Sequence, residues 1–170
     1  MINLSSVCRK TIAILGMGKS GLSSAQALIK SGAIVWAWDD DPIKRIKMKD
    51  LGLNQTDLLK CNWKKVDVLL VSPGIPTSYP FCHPIIEKAK KEAIPITCDV
   101  ELFCQLQKKV SILAITGTNG KSTTTALTGH ILQHCGIKTQ LGSNFGNPVF
   151  ALNPSKSNDC IILELSLTYP

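Results

Sequence analysis

No run in this sequence comes near the ~18 uninterrupted apolar residues that a bilayer-crossing helix requires, so membrane insertion is not expected. The opening stretch MINLSSVCRKTIAILGMGKSG holds a short apolar run, but Arg9 and Lys10 directly precede it and glycines interrupt it before any cleavage-like site. That is not the pattern of a secretory signal, and a cytoplasmic protein is expected. The seven cysteines (8, 61, 82, 98, 104, 135 and 160) are odd in number and contain no C-x-x-C pair. They are read as reduced thiols, with neither a disulfide framework nor a zinc site. Aromatic residues amount to only 5%. None interleaves with the lysines of the two basic runs, DPIKRIKMKD and EKAKKE, so these read as solvated helix faces and no nucleic-acid partner is expected.

What is abundant is aliphatic. Hydrophobic residues make up 44% of the 170 and charged residues 18%, the balance of a folded α/β protein. The net charge of +7 sits in the first part, where residues 1–109 hold 16 Lys/Arg against 10 Asp/Glu; residues 110–170 hold 3 against 2. Such an excess is compatible with attraction for a polyphosphate ligand.

Periodicity predicts a buried strand at 11–16 (TIAILG), a helix at 19–31 closed by Gly32, and a second strand at 33–39. Asp41-Pro42 then opens a short basic helix ending near Gly52. A third strand starts at Val66, a helix covers 83–93, a short strand 94–99 and a helix 100–107. A new cycle follows with a strand at 110–117, a helix at 121–135 and a last strand at 160–166. Consecutive βα units with near-continuous apolar strands imply parallel sheets covered by helices. The boundary between two units falls within 94–109.

Two glycine turns stand at strand-to-helix junctions. The first, Gly16-Met-Gly-Lys-Ser-Gly21, fits G-x-G-x-x-G, with Asp39, Asp40 and Asp41 following 18–20 residues beyond Gly21. Helix amides there would face a phosphate. The same geometry serves NAD, FAD and nucleotide sugars, and the glycines could equally serve helix–strand packing alone. The second turn, Gly117-Thr-Asn-Gly-Lys-Ser122, is two residues shorter than the usual G-x-x-x-x-G-K-[ST] loop. Lys121 could reach outer phosphates, the Ser122 hydroxyl could ligate magnesium, and loop amides could cradle oxygens.

The blocks GMGKSG, VSPGIP, DVELFC, AITGTNGKSTTTALTGHIL, GSNFGNP and IILELS together resemble the Mur ligases of peptidoglycan synthesis, most closely the members that add D-glutamate. The resemblance runs over nearly the whole chain. It implies a Rossmann-like parallel-sheet domain for the UDP substrate over residues 1–97, followed at 98–170 by the incomplete start of a phosphate-loop ATPase domain. It implies ATP and Mg2+ as cofactors, with UDP-N-acetylmuramoyl-L-alanine and D-glutamate as substrates. Gly117, Thr118, Asn119, Gly120, Lys121, Ser122 and Thr123 would wrap the triphosphate, Lys121 would be catalytic, and Ser122 with Glu164 would hold the metal. Lys19, Ser20, Asp39, Gly74 and Asn144 would contact the substrate.

The family continues after LELS with a Ser-Phe-Gln-type helix start, whereas here LELSLTYP diverges. The resemblance therefore implies a truncated chain, inactive alone, dependent on a missing C-terminal portion and with apolar edges such as CIILEL uncovered. A non-catalytic UDP-sugar- or ATP-binding remnant and an NAD-dependent oxidoreductase are the alternatives. His130 and His134 have the i, i+4 spacing of a zinc pair but no third ligand, and are expected to be structural or surface residues. Trp36 and Trp38 are placed on opposite sides of their strand, with core packing on at least one. Tyr79, Phe81 and His83 lie in a loop where a substrate contact is an option.

Overall fold

The computed structural model describes residues 5–78, 80–143 and 146–166. The predicted alternation is realised as two parallel sheets. The first contains β1 (Thr11–Leu15), β2 (Ile34–Trp38), β3 (Val68–Val71) and β4 (Ile96–Cys98) in the order β2-β1-β3-β4. The second contains β5 (Ser111–Ile115), β6 (Thr139–Ser143) and β7 (Cys160–Glu164) in the order β5-β7-β6.

Strand β1 is central and all five of its residues are buried. Its side chains alternate as a strand requires. Ile12 and Ile14 join Ala25 and Leu28 of helix α1 (Lys19–Lys30) in one core. Ala13 and Leu15 join Ile85, Ile86 and Ala89 of helix α3 (Pro84–Lys91) in the other. Helix α2 (Pro42–Asp50) starts as the sequence predicts, with the Asp41 side chain accepting the Ile43 N–H at 2.8 Å and Pro42 in the first turn. Trp36 and Trp38 lie on the same side of β2, both against the α3-side core, while Val35 and Ala37 face α1. The expected opposite placement was wrong, because residues two apart in a strand share a face.

Helix α4 (Asp99–Leu106) lays Val100, Leu102, Phe103 and Leu106 into the α1-side core. A one-turn 3-10 helix, Val149–Ala151, delivers Val149 and Phe150 to the same core, and Phe150 meets Phe103 edge-on with ring centroids 5.7 Å apart. The core continues to Ile161 and Leu163 of β7.

In the second sheet the sequence reading missed β6, whose TQLGS has no apolar run. It also misjudged the uncovered strand: Cys160–Glu164 is central, hydrogen-bonded on both sides and wholly buried. The exposed apolar positions instead lie on β5 and on helix α5 (Lys121–His134), at Leu113 (43% exposed), Leu127 (57%) and Ile131 (51%).

Candidate nucleotide sites at the two glycine turns

The first turn sits at the carboxyl end of β1, where the strand order reverses between β2 and β3, the crevice in which open α/β sheets bind ligands. A cavity of about 410 Å³ opens there, lined among others by Gly16, Lys19, Ser20, Asp39, Lys44 and Gly74. Gly16 and Gly74 both adopt positive φ, 92° and 87°. The turn is pressed tightly against the sheet. A Cβ built on Gly21 would stand 1.9 Å from the Gly16 carbonyl oxygen, and the Ser72 hydroxyl donates to that same oxygen at 2.6 Å. Gly18 caps α1 without a side-chain acceptor, which leaves the first-turn amides to an anion.

Two of the sequence-predicted residues are already engaged. Asp39 is buried; its Oδ2 accepts the Met17 N–H at 2.6 Å and pairs with the Lys44 ammonium at 3.3 Å, and its Oδ1 accepts the Asp41 N–H at 2.9 Å. It clamps the turn to the end of β2. The Ser20 carbonyl accepts the Ser24 hydroxyl at 2.9 Å, and burial pushes up the pKa of Asp99, a buried carboxyl at the start of α4. Lys19 is exposed at the cavity.

A pair that the sequence reading did not join closes the rim. His83 Nε2 lies 2.8 Å from Asp40 Oδ2. The hydrogen bond from His83, ahead of burial, holds the Asp40 carboxyl below its usual pKa. His83-Pro84 was legible as a helix start, but nothing in the sequence links it to a residue 43 positions earlier.

The second turn joins β5 to α5. Gly117 and Gly120 take φ of 148° and 76°, and Gly120 is the left-handed N-cap of α5, again with no side-chain acceptor. Lys121 Nζ donates to the Gly117 carbonyl at 2.7 Å and the Thr118 carbonyl at 3.3 Å, so its ammonium lies over the loop itself. The Ser122 hydroxyl lies 3.0 and 3.1 Å from the two oxygens of Glu164, which is buried at the end of β7. The Ile115–Glu164 register of β5 and β7 makes this meeting possible across 42 residues. Asn119 and Thr123 flank the same turn, at the loop and in the first turn of α5. Asn144 lies outside the described residues, as does Tyr79.

His130 and His134 are exposed and contact each other edge-on, with centroids 4.5 Å apart. Among the described residues there is no cluster of three or more His, Cys, Asp or Glu side chains that could hold a metal ion, and no helix is long and apolar enough to cross a membrane.

The family described as "Mur ligase MurD-like, N-terminal domain" matches residues 10–98. The chain is 42% identical over 170 residues to the UDP-N-acetylmuramoylalanine–D-glutamate ligase of Mesorhizobium japonicum, covering 98% of this chain and 36% of that protein. The chain belongs to the Mur ligase family, in its MurD-like branch. A second such ligase, from Caulobacter sp. (strain K31), is 42% identical over 163 residues, covering 92% of this chain and 35% of the relative. This MurD-like chain thus spans about a third of the length of the curated relatives it matches. Among solved structures, the UDP-N-acetylmuramate:L-alanyl-gamma-D-glutamyl-meso-diaminopimelate ligase from Neisseria meningitides aligns with a TM-score of 0.55 at 20% identity, over 92% of this chain and 52% of that one. That likeness shows a shared fold.

Proposed function

We propose that this chain supplies the UDP-substrate site and part of the ATP site of a cytoplasmic ligase that joins D-glutamate to UDP-N-acetylmuramoyl-L-alanine. In this reading residues 1–97 form the UDP-substrate domain and 98–170 the first part of the ATP-binding domain. The observation that carries the ATP assignment is the Ser122–Glu164 pair beneath a G-x-x-G-K-S turn: two hard oxygen donors, one of them a buried carboxylate, beside a helix N-terminus. This donor set fits Mg2+, which prefers few protein oxygens and shares the rest of its shell with phosphates and water. Bound there, the metal would neutralise charge on the transferring phosphoryl group.

The residues act by placement. Loop amides from Gly117 to Gly120 and the first amides of α5 would hold the phosphates. Lys121 would leave the Gly117 and Thr118 carbonyls and turn to the outer phosphate oxygens, where its charge counters the charge that develops in transfer. The overall chemistry is attack of a substrate carboxylate oxygen on the γ-phosphorus, giving an acyl phosphate and ADP. Attack by the amine of D-glutamate on the acyl carbon then forms the amide, with loss of phosphate and a proton. Within the first unit, Lys19 and the open amides of α1 would face the diphosphate of the UDP substrate, with Gly74 at the wall; Asp39 would shape the turn rather than reach outward. We propose that the chain alone does not complete the reaction, since it spans about a third of its relatives.

An NAD-dependent reading needs a free carboxylate for the ribose, and both Asp39 oxygens are taken by the turn and its neighbours. Isothermal titration separates the readings: binding of UDP-N-acetylmuramoyl-L-alanine without NADH binding is expected, and the reverse would overturn the proposal. Mg2+-dependent ATP binding should be lost in Ser122→Ala. Phosphate release by the purified chain that depends on both substrates would refute its incompleteness.

A further inference from the structure

The Asp40–His83 contact crosses the first cavity between two loops that the chain brings together only by folding. Asp40 follows β2, and His83 caps α3 after the loop that leaves β3. Both line the cavity. His83 Nδ1 accepts the Ile85 backbone N–H at 3.2 Å, and a backbone N–H can only donate. The hydrogen of the neutral imidazole is therefore on Nε2, aimed at Asp40 Oδ2 at 2.8 Å.

Each end of the contact is anchored. Asp40 Oδ1 accepts the Trp38 indole N–H at 3.0 Å. Arg45 Nη1 donates to the carbonyls of Asp39 and Asp40, each at 2.8 Å, while its guanidinium carbon lies 4.7 Å over the Trp38 ring. On the far side the His83 N–H donates to the Pro76 carbonyl at 3.0 Å, and only 14% of the His83 side chain is exposed. Every polar atom of the His83 ring is thus committed, and neither residue caps the glycine turn or holds the strands together. Their shared effect is to fix the separation of the two loops at the mouth of a cavity of about 410 Å³, near the small end of the ~300–1,000 Å³ typical of ligand pockets.

We propose that Asp40 and His83 form a strap that positions the nucleoside end of a ligand whose diphosphate meets α1, admitting a single-ring pyrimidine base and excluding a purine. The inference rests on the reading of this cavity as the UDP site. His83 and Asp40 are positioning residues, acting through the width of the slot.

The test uses the 170-residue chain, with UDP and ADP as probes in isothermal titration. His83→Asn keeps a good helix cap for α3 but is too short to reach Asp40. It should weaken UDP binding about tenfold, the scale of one charge-assisted hydrogen bond, and shrink the UDP-over-ADP preference. Asp40→Asn, which touches no cap of α3, should give a similar loss, and the double variant should bind no worse than either single one. If His83→Asn and Asp40→Asn bind UDP as tightly as the parent chain with the same preference over ADP, the strap is overturned while the UDP site stands. A parent chain that binds no UDP overturns both.

Discussion

Strands β1 and β5 carry nearly the same kind of sequence, TIAIL against SILAI, and each leads into a glycine turn and a helix. All of β1 is buried, yet Ser111, Leu113 and Ala114 of β5 are exposed. The difference lies in position. β1 is paired with β2 on one side and β3 on the other, whereas β5, among the described residues, is paired with β7 alone. An apolar pattern on both faces is that of a strand covered by helices; in the first sheet α1 and α3 supply that cover, and in the second the apolar positions Leu113, Leu127 and Ile131 stay in solvent. Burial here is a property of the neighbours as much as of the strand.

The sharpest test sets matched truncations against each other. Leu70→Ala, at a fully buried site in the first sheet, should cost about 2–5 kcal/mol, while Leu113→Ala in β5 should stay within about 0.5 kcal/mol. Urea unfolding monitored by circular dichroism measures both, and equal losses would mean that the β5 face is covered in solution.

The two turns differ in the same sense. Gly21→Ala drives a Cβ into the Gly16 carbonyl and should destabilise by about 1–3 kcal/mol or more. Gly120→Ala meets open space and suffers only its left-handed backbone, about 1 kcal/mol. Equal midpoints for the two variants would show that the first turn is not pressed on its sheet.

Protonation should distinguish the units next. The Asp99 carboxyl is pushed up by burial, so the folded state holds its proton more tightly than the unfolded chain does. Its contribution is therefore fully present below the unfolded value near ~3.9 and is lost as pH rises through the folded value. Asp99→Asn, which can still accept the Val100 N–H, should raise the thermal midpoint at pH 7.5 and give a smaller gain at pH 4. A gain that grows towards pH 4 would reverse that sign. Asp40 runs the other way, since its lowered pKa gives stability that is present above the unfolded value and lost as pH falls through the folded one. The smallest change in stability is expected from Leu127→Lys with Ile131→Lys on exposed α5, within about 0.5 kcal/mol, with later onset of light scattering on heating. Unchanged scattering would show that this face does not drive aggregation on heating.

Strand and helix positions were legible wherever an apolar period or a Pro or Gly signal marked them, as at Asp41-Pro42 and Gly120-Lys121. The Ser122–Glu164 meeting was implied by the family resemblance alone, and the β5–β7 register is what realises it. β6 escaped because TQLGS is held by its neighbours instead of its own pattern. The role of Asp39 within the turn, and the bridge from His83 to Asp40, depend on which side-chain oxygen meets which distant N–H, and no local pattern encodes that. Which sheet edge stays open also follows from strand order, and so CIILE, expected to stand uncovered, proved to be central and wholly buried.

Phe150 and Val149 give the chain a temporal constraint as well as a spatial one. A polypeptide leaving the ribosome presents α1 and α4 long before the segment that fills the space between them, because all of α5 and β6 must be made first. The α1-side core of the first sheet is thus completed by residues that belong to the second, which raises the sequence separation of its contacts and slows closure. A cut after residue 98, at the end of the matched family region, would leave the first sheet without part of its own interior. The two sheets are successive in sequence but share the α1-side core.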